Sequence, residues 1–382
     1  MNTTPIEIAQ SLVRLPSINP QYDSASAGEG AVVDWLEQWG RANGFAPVRQ
    51  SVLPGRDNLL LTLHNGDGPH LLLNGHSDTV GTAGMSINPF GGDVRQGRLW
   101  GRGAADMKGP VACMLAALLR LRERRADWRG TVTFGCVADE EYKYRGILAL
   151  LDQSIAYDFA VVGEPTGLRV VRGCKGSFRF AVRTRGRAAH SSEPHKGRNA
   201  IVGMARVIPA LAEFFDTGLR AFAREGFGTS TGSIGLIEGG SGINIVPDQC
   251  SVQIDIRTVP GQDCQAAYAA LQSHVRARAG ALDGVALEFD EPPPHFSPAF
   301  ETADAHALVR TACSLAGQTA SDVVPFGCDA SKIAARGIPS IILGPGDIAQ
   351  AHTADESIGL DELEAGEAAY IQLALSLLKP QS

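Results

Sequence analysis

Length, composition and charge describe a globular protein with room for two domains. The chain has 382 residues, of which 44% are hydrophobic and 20% charged, and this length exceeds that of one typical domain. A formal net charge of −7, with no basic cluster, argues against nucleic acid and anionic membranes as partners. The N-terminal stretch carries Glu7 where a signal peptide would be apolar, and the longest apolar run, residues 111–119, is too short to cross a bilayer, so we expect a cytoplasmic protein.

The cysteines predict reduced thiols. There are seven, an odd number, and no C-x-x-C pair occurs among them. Several lie in apolar segments, as buried thiols do. The sequence therefore predicts neither a disulfide framework nor a thiolate zinc site.

The first part of the chain alternates predicted helices with predicted strands. Helices are expected at residues 6–13, at 31–42 and from Pro110 onwards, and strands at 58–64, 70–74, 131–137 and 159–162. The strands at 58–64 and 70–74 are expected to pair around a turn of Asn, Gly and Asp residues. This alternation predicts an α/β fold, in which helices flank a mixed or parallel sheet and the chemistry lies at the strand ends.

The pattern changes after about Cys174. A strand, a helix, two strands, a helix and a strand follow, at residues 177–185, 200–215, 233–237, 252–257, 263–279 and 285–289. This order is typical of an open-faced, ferredoxin-like α+β sandwich. The first pattern resumes after a Pro-rich break at 291–294. We therefore expect a discontinuous catalytic α/β/α domain at 1–175 and 292–382, and an inserted domain at 176–291.

Polar residues follow the apolar strands of the first pattern. His76 and Asp78 come directly after a buried run of leucines, and alternate residues of an extended segment point the same way. Asp78 is therefore expected to accept a hydrogen bond from the ring nitrogen of His76 that does not bind metal. Histidines and aspartates at strand ends often only cap loops, and this pair alone does not exclude that interpretation.

The wider set of strand-end residues indicates a metal centre. It comprises His76, Asp106, Glu140, Glu141, Glu164 and His352. Imidazoles and carboxylates without thiolates suit a pair of zinc ions or close relatives, and a co-catalytic pair needs one bridging carboxylate. The adjacent Glu140 and Glu141 point apart, so one can bind metal while the other acts as general base towards the attacking water.

Seven motifs follow one another along the chain: GHSDTV, GRGAADMKG, ADEE, GEPT, AHSSEPHKGRNAI, DIRTVPG and LGPGDIAQAHTADE. In this order they resemble one zinc-dependent family, which includes acetylornithine deacetylase, succinyl-diaminopimelate desuccinylase, aminoacylase and carboxypeptidase G. The similarity covers nearly the whole chain, and the acetylornithine deacetylase branch is the most similar. Seven ordered motifs are far more specific than any single one.

The resemblance implies a role for each candidate residue. His76 and Glu164 would bind one metal, Glu141 and His352 the other, with Asp106 bridging them, Asp78 orienting His76 and Glu140 acting as the base. The cofactor would be two Zn²⁺ per chain, for which Co²⁺ can substitute.

The resemblance also implies that the inserted domain is a lid and a homodimerisation module. His190 would stabilise the oxyanion from the partner subunit, and Asn244 and Arg257 would touch the substrate. From the residues alone, His190 also fits a loop histidine, and Asn244 and Arg257 fit a loop closure and an ion pair.

The expected reaction is hydrolysis of an N-acyl amino acid, with N-acetylornithine as the leading substrate and arginine biosynthesis as the setting. Succinyl-diaminopimelate and dipeptides are alternative substrates. Tyr142, Lys143, Tyr144 and Cys328 stand where relatives have other residues, which leaves the amino acid that is released open. Two other classes remain: a serine hydrolase using Ser230 in a G-x-S-x-G match, and a non-catalytic binding protein.

Overall fold

The computed structural model describes residues 3–290 and 295–379. The chain folds into two compact units. The first comprises the residues up to Gly173, Glu301–Asp322 and the residues from Cys328, and the second comprises Cys174–Phe300 and Val323–Gly327. The Pro-rich break at 291–294 lies outside the described residues.

Helices and strands are numbered in chain order. The helices are α1 (Pro5–Val13), α2 (Gly30–Ala42), α3 (Gly109–Glu123), α4 (Arg145–Leu151), α5 (Ala200–Phe214), α6 (Cys264–Ala279), α7 (Ala307–Leu315), α8 (Ala330–Ala335) and α9 (Leu360–Leu377). The strands are β1 (Val48–Leu53), β2 (Arg56–Asn65), β3 (His70–His76), β4 (Asp93–Arg95), β5 (Arg98–Trp100), β6 (Gly130–Val137), β7 (Phe159–Val162), β8 (Val171–Cys174), β9 (Gly176–Arg185), β10 (Ala189–His190), β11 (Ala223–Arg224), β12 (Gly228–Thr229), β13 (Thr231–Gly239), β14 (Ile245–Val246), β15 (Gln249–Thr258), β16 (Ala286–Phe289), β17 (His295–Ser297), β18 (Phe300–Glu301), β19 (Asp322–Val324), β20 (Ser340–Ile342) and β21 (Ser357–Gly359).

A large mixed sheet forms the centre of the first unit, which confirms the predicted α/β class. Its strands follow the order β1-β2-β6-β3-β7-β20-β8-β18. β3 lies between β6 and β7 and runs parallel to both, and β20 runs parallel to β7. The carboxyl ends of these four strands therefore meet at one edge, where open α/β sheets place their ligands.

The predicted pairing of residues 58–64 with 70–74 is wrong. β2 pairs with β1 and β6, and β6 separates it from β3. Because β3 is buried from Leu71 onwards, it takes an interior position with a parallel strand on each side. The connection from β2 passes close to the start of β6, where a Cβ on Gly130 would lie 2.3 Å from the carbonyl oxygen of Pro69. Only glycine permits this approach.

Helix α3 is the central helix of the first unit. Pro110 stands in its first turn, where proline is well tolerated because that amide has no helical acceptor. The helix is buried on nearly every face because it packs against α1 and α9 as well as against the sheet. No helix within residues 3–290 and 295–379 combines the length and the apolar character needed to cross a membrane.

The second unit contains the predicted sequence of strand, helix, two strands, helix and strand. Its antiparallel sheet has the order β13-β15-β9-β16, and helices α5 and α6 supply apolar residues to its core. β13 forms one edge, with Leu236 62% and Ile237 58% exposed. The segment Val323–Gly327, which the sequence analysis assigned to the catalytic domain, is grouped with this unit.

Candidate metal centre

Parallel strands bring the predicted ligands to one sheet edge. His76 is the last residue of β3, Glu140 and Glu141 follow the end of β6, and Glu164 follows the end of β7. His352 lies in the loop that follows β20 and has a positive φ of 63°. Non-glycine residues in this region store backbone strain, which proteins concentrate at functional sites.

The carboxylate of Asp106 lies between the imidazoles of His76 and His352. It comes from an irregular turn, Ala104–Lys108, that directly precedes α3. Its Oδ1 lies 3.0 Å from His76 Nε2, and its Oδ2 lies 3.3 Å from His352 Nε2. The same nitrogen of His352 lies 3.3 Å from Glu141 Oε1. A carboxylate that faces one imidazole with each oxygen has the position that a bridging ligand requires.

The candidate ligands form two overlapping groups. Possible ligand atoms of His76, Glu140 and Glu164 lie within 4.8 Å of one another, and so do those of His76, Asp106 and Glu141. Together with His352, the structure thus gathers all the predicted ligands and the predicted base in one place. Both groups are largely buried.

The carboxyl groups of this centre have strongly perturbed pKa values. Burial raises the pKa of Glu140 well above its ordinary value, and the charge of Glu164 adds to the effect. Burial likewise raises the pKa of Glu164, with a further contribution from Asp106. Hydrogen bonds to Asp106 and Glu141 raise the pKa of His352 to about 10. The site therefore concentrates negative charge, which a cation would neutralise.

Glu164 carries a further sign of a missing partner. Its Oε1 is buried and has no hydrogen-bond partner among the described residues, although buried carboxylate oxygens are normally satisfied. The donors are imidazole nitrogens and carboxylate oxygens, as zinc and related divalent ions prefer. The residues present therefore fit a divalent metal.

The prediction that His76 donates a hydrogen bond to the carboxylate of Asp78 is wrong. His76 Nδ1 lies 2.9 Å from the backbone oxygen of Asp78 and 3.7 Å from its Oδ1. Because a carbonyl can only accept, Nδ1 carries the proton and Nε2 faces Asp106. The carboxylate of Asp78 instead accepts the backbone N–H groups of Glu140 and Glu141, at 3.1 and 3.2 Å.

A buried charge network supports the turn that carries the two glutamates. Asp139 has a positive φ of 66°, and its carboxylate accepts hydrogen bonds from Arg56 at 3.1 Å and Arg145 at 2.6 Å. Asn19 donates to both Asp139 and Asp78, at 3.0 and 2.8 Å. These hydrogen bonds fix the turn that carries Glu140 and Glu141. The charged groups that form them could not be identified as site residues from the sequence.

The predicted residues of the inserted domain lie in the second unit. His190 is exposed, and its Nδ1 lies 2.8 Å from Ser192 Oγ. Strands β10 and β14 bring it beside Asn244, whose backbone oxygen accepts the Ser191 N–H at 3.0 Å. Arg257 forms an ion pair with Asp255 at 3.0 Å.

Several other singled-out residues have structural partners. The Nζ of Lys143 lies 4.8 Å from the centroid of the Tyr142 ring, and the Nζ of Lys332 lies 3.4 Å from that of Tyr144. Cys328 is buried.

The serine-hydrolase alternative has no structural support. Ser230 lies between the strands β12 and β13, not on a strand-to-helix turn, and its Oγ lies 2.5 Å from Gln262 Oε1. A nucleophile elbow needs the strand-to-helix turn, where the serine is exposed to substrate.

Sequence reasoning missed two buried carboxylates of the first unit. Asp329 accepts a hydrogen bond from Asn74 Nδ2 at 2.9 Å, and burial raises its pKa to about 6. Glu356 accepts hydrogen bonds from the loop that carries Asp106. Asp329 directly follows Cys328, and Glu356 ends the motif LGPGDIAQAHTADE, so an acidic residue near a predicted site was the available signal.

The fold and the site define a metal-dependent hydrolase. The chain belongs to Peptidase family M20/M25/M40, whose sequence model matches residues 72–376, and it is a metal-dependent amidohydrolase. It is 34% identical over 370 residues to the acetylornithine deacetylase of Proteus mirabilis (strain HI4320), covering 94% of this chain and 93% of that one. It is 32% identical over 371 residues to the acetylornithine deacetylase of Vibrio vulnificus (strain CMCP6), covering 94% of both. A tripeptidase structure from Staphylococcus aureus has a TM-score of 0.79 at 22% identity over 98% of both chains and shares the fold.

Proposed function

We propose that the protein removes the acyl group from N-acyl-L-amino acids, with N-acetyl-L-ornithine as its preferred substrate, in arginine biosynthesis. The position of Asp106 between His76 and His352, with Glu140 beside them, is the observation that carries the proposal. Similarity to acetylornithine deacetylases over 94% of the chain supports the substrate. The odd number of cysteines, with no C-x-x-C pair among them, supports a cytoplasmic location.

The donor set supports a centre of two zinc ions, for which cobalt can substitute. We assign Glu164 with His76 to one ion, Glu141 with His352 to the other, and Asp106 to both. Two such ions, when bound, lower the pKa of water and polarise the amide carbonyl.

Glu140 is the proposed general acid and base. It accepts the proton of the attacking water and returns it to the leaving nitrogen, so that the free amino acid departs as an amine. Possible ligand atoms of Glu140, His76 and Glu164 lie within 4.8 Å of one another, which places the Glu140 carboxylate beside the water that the centre would activate. The carboxylate of Asp78 accepts the backbone N–H groups of Glu140 and Glu141 and so holds the turn that carries both side chains.

The second unit has a proposed role as lid and dimerisation module. In a homodimer, His190 of one chain would donate to the oxyanion in the site of the other, and Asn244 and Arg257 would contact the substrate. The exposure of His190, Leu236 and Ile237 supports a surface available to a partner.

A substrate panel tests this proposal. Protein loaded with zinc or cobalt is assayed on N-acetyl, N-succinyl and N-formyl amino acids and on dipeptides, with the free amino acid and the released acid quantified by chromatography. N-acetyl-L-ornithine should show the highest kcat/KM, and the matched variant Glu140→Gln should lose most of its turnover on the same panel. A higher kcat/KM on a succinyl or dipeptide substrate would overturn the substrate assignment, and a lack of any amide hydrolysis would overturn the function.

A further inference from the structure

The carboxylate of Glu356 is surrounded by donors from the loop that carries Asp106. The side chain is 1% exposed. Its Oε1 accepts the backbone N–H groups of Ala105 and Asp106, at 2.9 and 3.0 Å. Its Oε2 accepts the backbone N–H of Gly103 at 3.0 Å and Nη1 of Arg102 at 2.7 Å. The carboxylate thus binds two donors with each oxygen.

The main chain of Glu356 is attached to the same loop. Its carbonyl oxygen accepts the backbone N–H of Gly101 at 3.0 Å. The next residue, Ser357, begins β21 and pairs with Trp100 at the end of β5. β21 and β5 belong to one small sheet. The Asp106 loop follows β5 and the His352 loop precedes β21, so Glu356 lies where both loops join this sheet.

The backbone of the Asp106 loop needs these acceptors. Asp106 has φ −122° and ψ 94°, and Met107 has φ −133° and ψ 37°, so the turn is not helical and regular helical hydrogen bonds cannot satisfy its amides. Ala105 is fully buried, and a buried N–H without an acceptor is costly. The Glu356 carboxylate meets this requirement from 250 residues further along the chain.

We propose that Glu356 is a positioning residue for the metal centre: it fixes the backbone of Asp106 relative to the loop of His352, and thereby sets metal affinity. The inference rests on the proposed function, because it takes Asp106 and His352 as metal ligands. Glu356 acts through Asp106 and does not itself touch metal or substrate. Outer partners that orient metal ligands typically influence affinity in this way.

Metal titration of Glu356→Gln tests the role. Glutamine has a single acceptor oxygen and cannot satisfy four donors. The matched control is Glu362→Gln, because Glu362 also accepts a backbone N–H, that of Gly359 at 2.7 Å, but does not contact the Asp106 loop. The full chain is stripped with chelator and titrated with Co²⁺, while calorimetry gives Kd and absorption reports the coordination. Glu356→Gln should raise Kd by about 10–100-fold and alter the cobalt spectrum, and Glu362→Gln should leave both unchanged.

A folded Glu356→Gln variant with unchanged Kd and spectrum would overturn the proposal. Hydrogen exchange of the metal-free wild type gives a second test that needs no variant. The amides of Ala105 and Asp106 should exchange slowly, and exchange as fast as in exposed loops would overturn the inference even if Glu356→Gln does not fold. Wild-type protein that binds Co²⁺ but hydrolyses no N-acyl amino acid would overturn the proposed function instead, so the two failures are distinguishable.

Discussion

His76 donates from Nδ1 to the main-chain carbonyl of Asp78 at 2.9 Å, while Oδ1 of the same aspartate lies 3.7 Å away. The imidazole is thus oriented by the backbone of the residue whose carboxylate was expected to hold it. The carboxylate itself accepts the N–H groups of Glu140 and Glu141. One aspartate therefore links the histidine on β3 to the two glutamates that follow β6.

The first prediction follows from this division of contacts. In Asp78→Asn, the backbone carbonyl still orients His76, so metal content should stay at the wild-type level. The amide can accept with only one oxygen, which loosens the turn of Glu140 and Glu141, and kcat/KM should fall by about 10–100-fold. Steady-state kinetics and metal analysis of the same preparation measure both effects. Asp158→Asn is the control, because Asp158 accepts the backbone N–H of His70 at 2.7 Å at the opposite end of β3. Loss of metal in Asp78→Asn would contradict the main-chain role.

The second prediction separates the paired glutamates. Glu140→Gln should keep its metal and lose turnover by ~10²–10⁴-fold, because a general base acts in the transition state. Glu141→Gln should lose metal as well, since its Oε1 lies 3.3 Å from His352 Nε2. Metal content and kcat are measured side by side. Equal metal loss in both variants would mean that the two roles are misassigned.

The third prediction concerns metal removal. The protein as isolated should carry up to two zinc ions per chain, and exhaustive chelation should abolish amide hydrolysis, because the carboxylates around Asp106 need a cation to balance their charge. Elemental analysis and activity before and after chelation measure this, and added zinc or cobalt should restore turnover. Full activity in metal-depleted protein would refute the assignment of the centre.

The residues that gather at the candidate metal centre could be predicted from the sequence, whereas the contacts that orient them could not. Each of His76, Glu141 and Glu164 follows closely on an apolar run, so its place at a strand end could be inferred locally. The alternation rule misled for Asp78, because β3 ends at His76 and Asp78 lies in the segment beyond the strand. The role of Glu356 depends on a loop 250 residues earlier, and no local pattern indicates such a contact.

Strand order was likewise beyond local reasoning. The turn residues between β2 and β3 suggested a hairpin, but β6 lies between these two strands. Its position there depends on the tertiary packing of β3, which is buried and pairs with a parallel strand on each side. In the second unit, by contrast, regular alternation and two amphipathic helices sufficed to predict the order of strands and helices. Arg56, a positively charged partner of Asp139, also escaped prediction because it lies 83 residues earlier in the chain.

The fourth prediction concerns stability and pH. Burial lowers the pKa of His70 below its ordinary value of 6.5, because folding removes water from the imidazole. In the window just below pH 6.5 the unfolded chain therefore binds more protons than the folded one, and the free energy of unfolding rises with pH. The contribution of the buried, neutral His70 to the free energy of unfolding is fully present above pH 6.5. It is lost as the pH falls through the window below that value.

His70→Gln should reduce this dependence. Urea unfolding of wild type and variant from pH 5 to 7.5 would show a shallower slope for the variant. His64→Gln is the matched control, because His64 is exposed and, like His70, contacts a threonine hydroxyl of β6, at 3.1 and 2.8 Å respectively. Identical slopes for the wild type and His70→Gln would contradict the assignment.

The fifth prediction tests whether His190 serves the site of a partner chain. Removing one oxyanion donor typically costs ~10²–10³ in rate, so Glu140→Ala and His190→Ala homodimers should each be nearly inactive. Unfolded together in equal amounts and refolded, they should form mixed dimers in which one site carries both defects and the other carries neither. About half of the dimers are mixed under random pairing and half of their sites are intact, so roughly a quarter of wild-type activity should return. If His190 serves its own chain, every site keeps one defect, and activity should stay at the parental level even when native mass measurement shows that mixed dimers have formed.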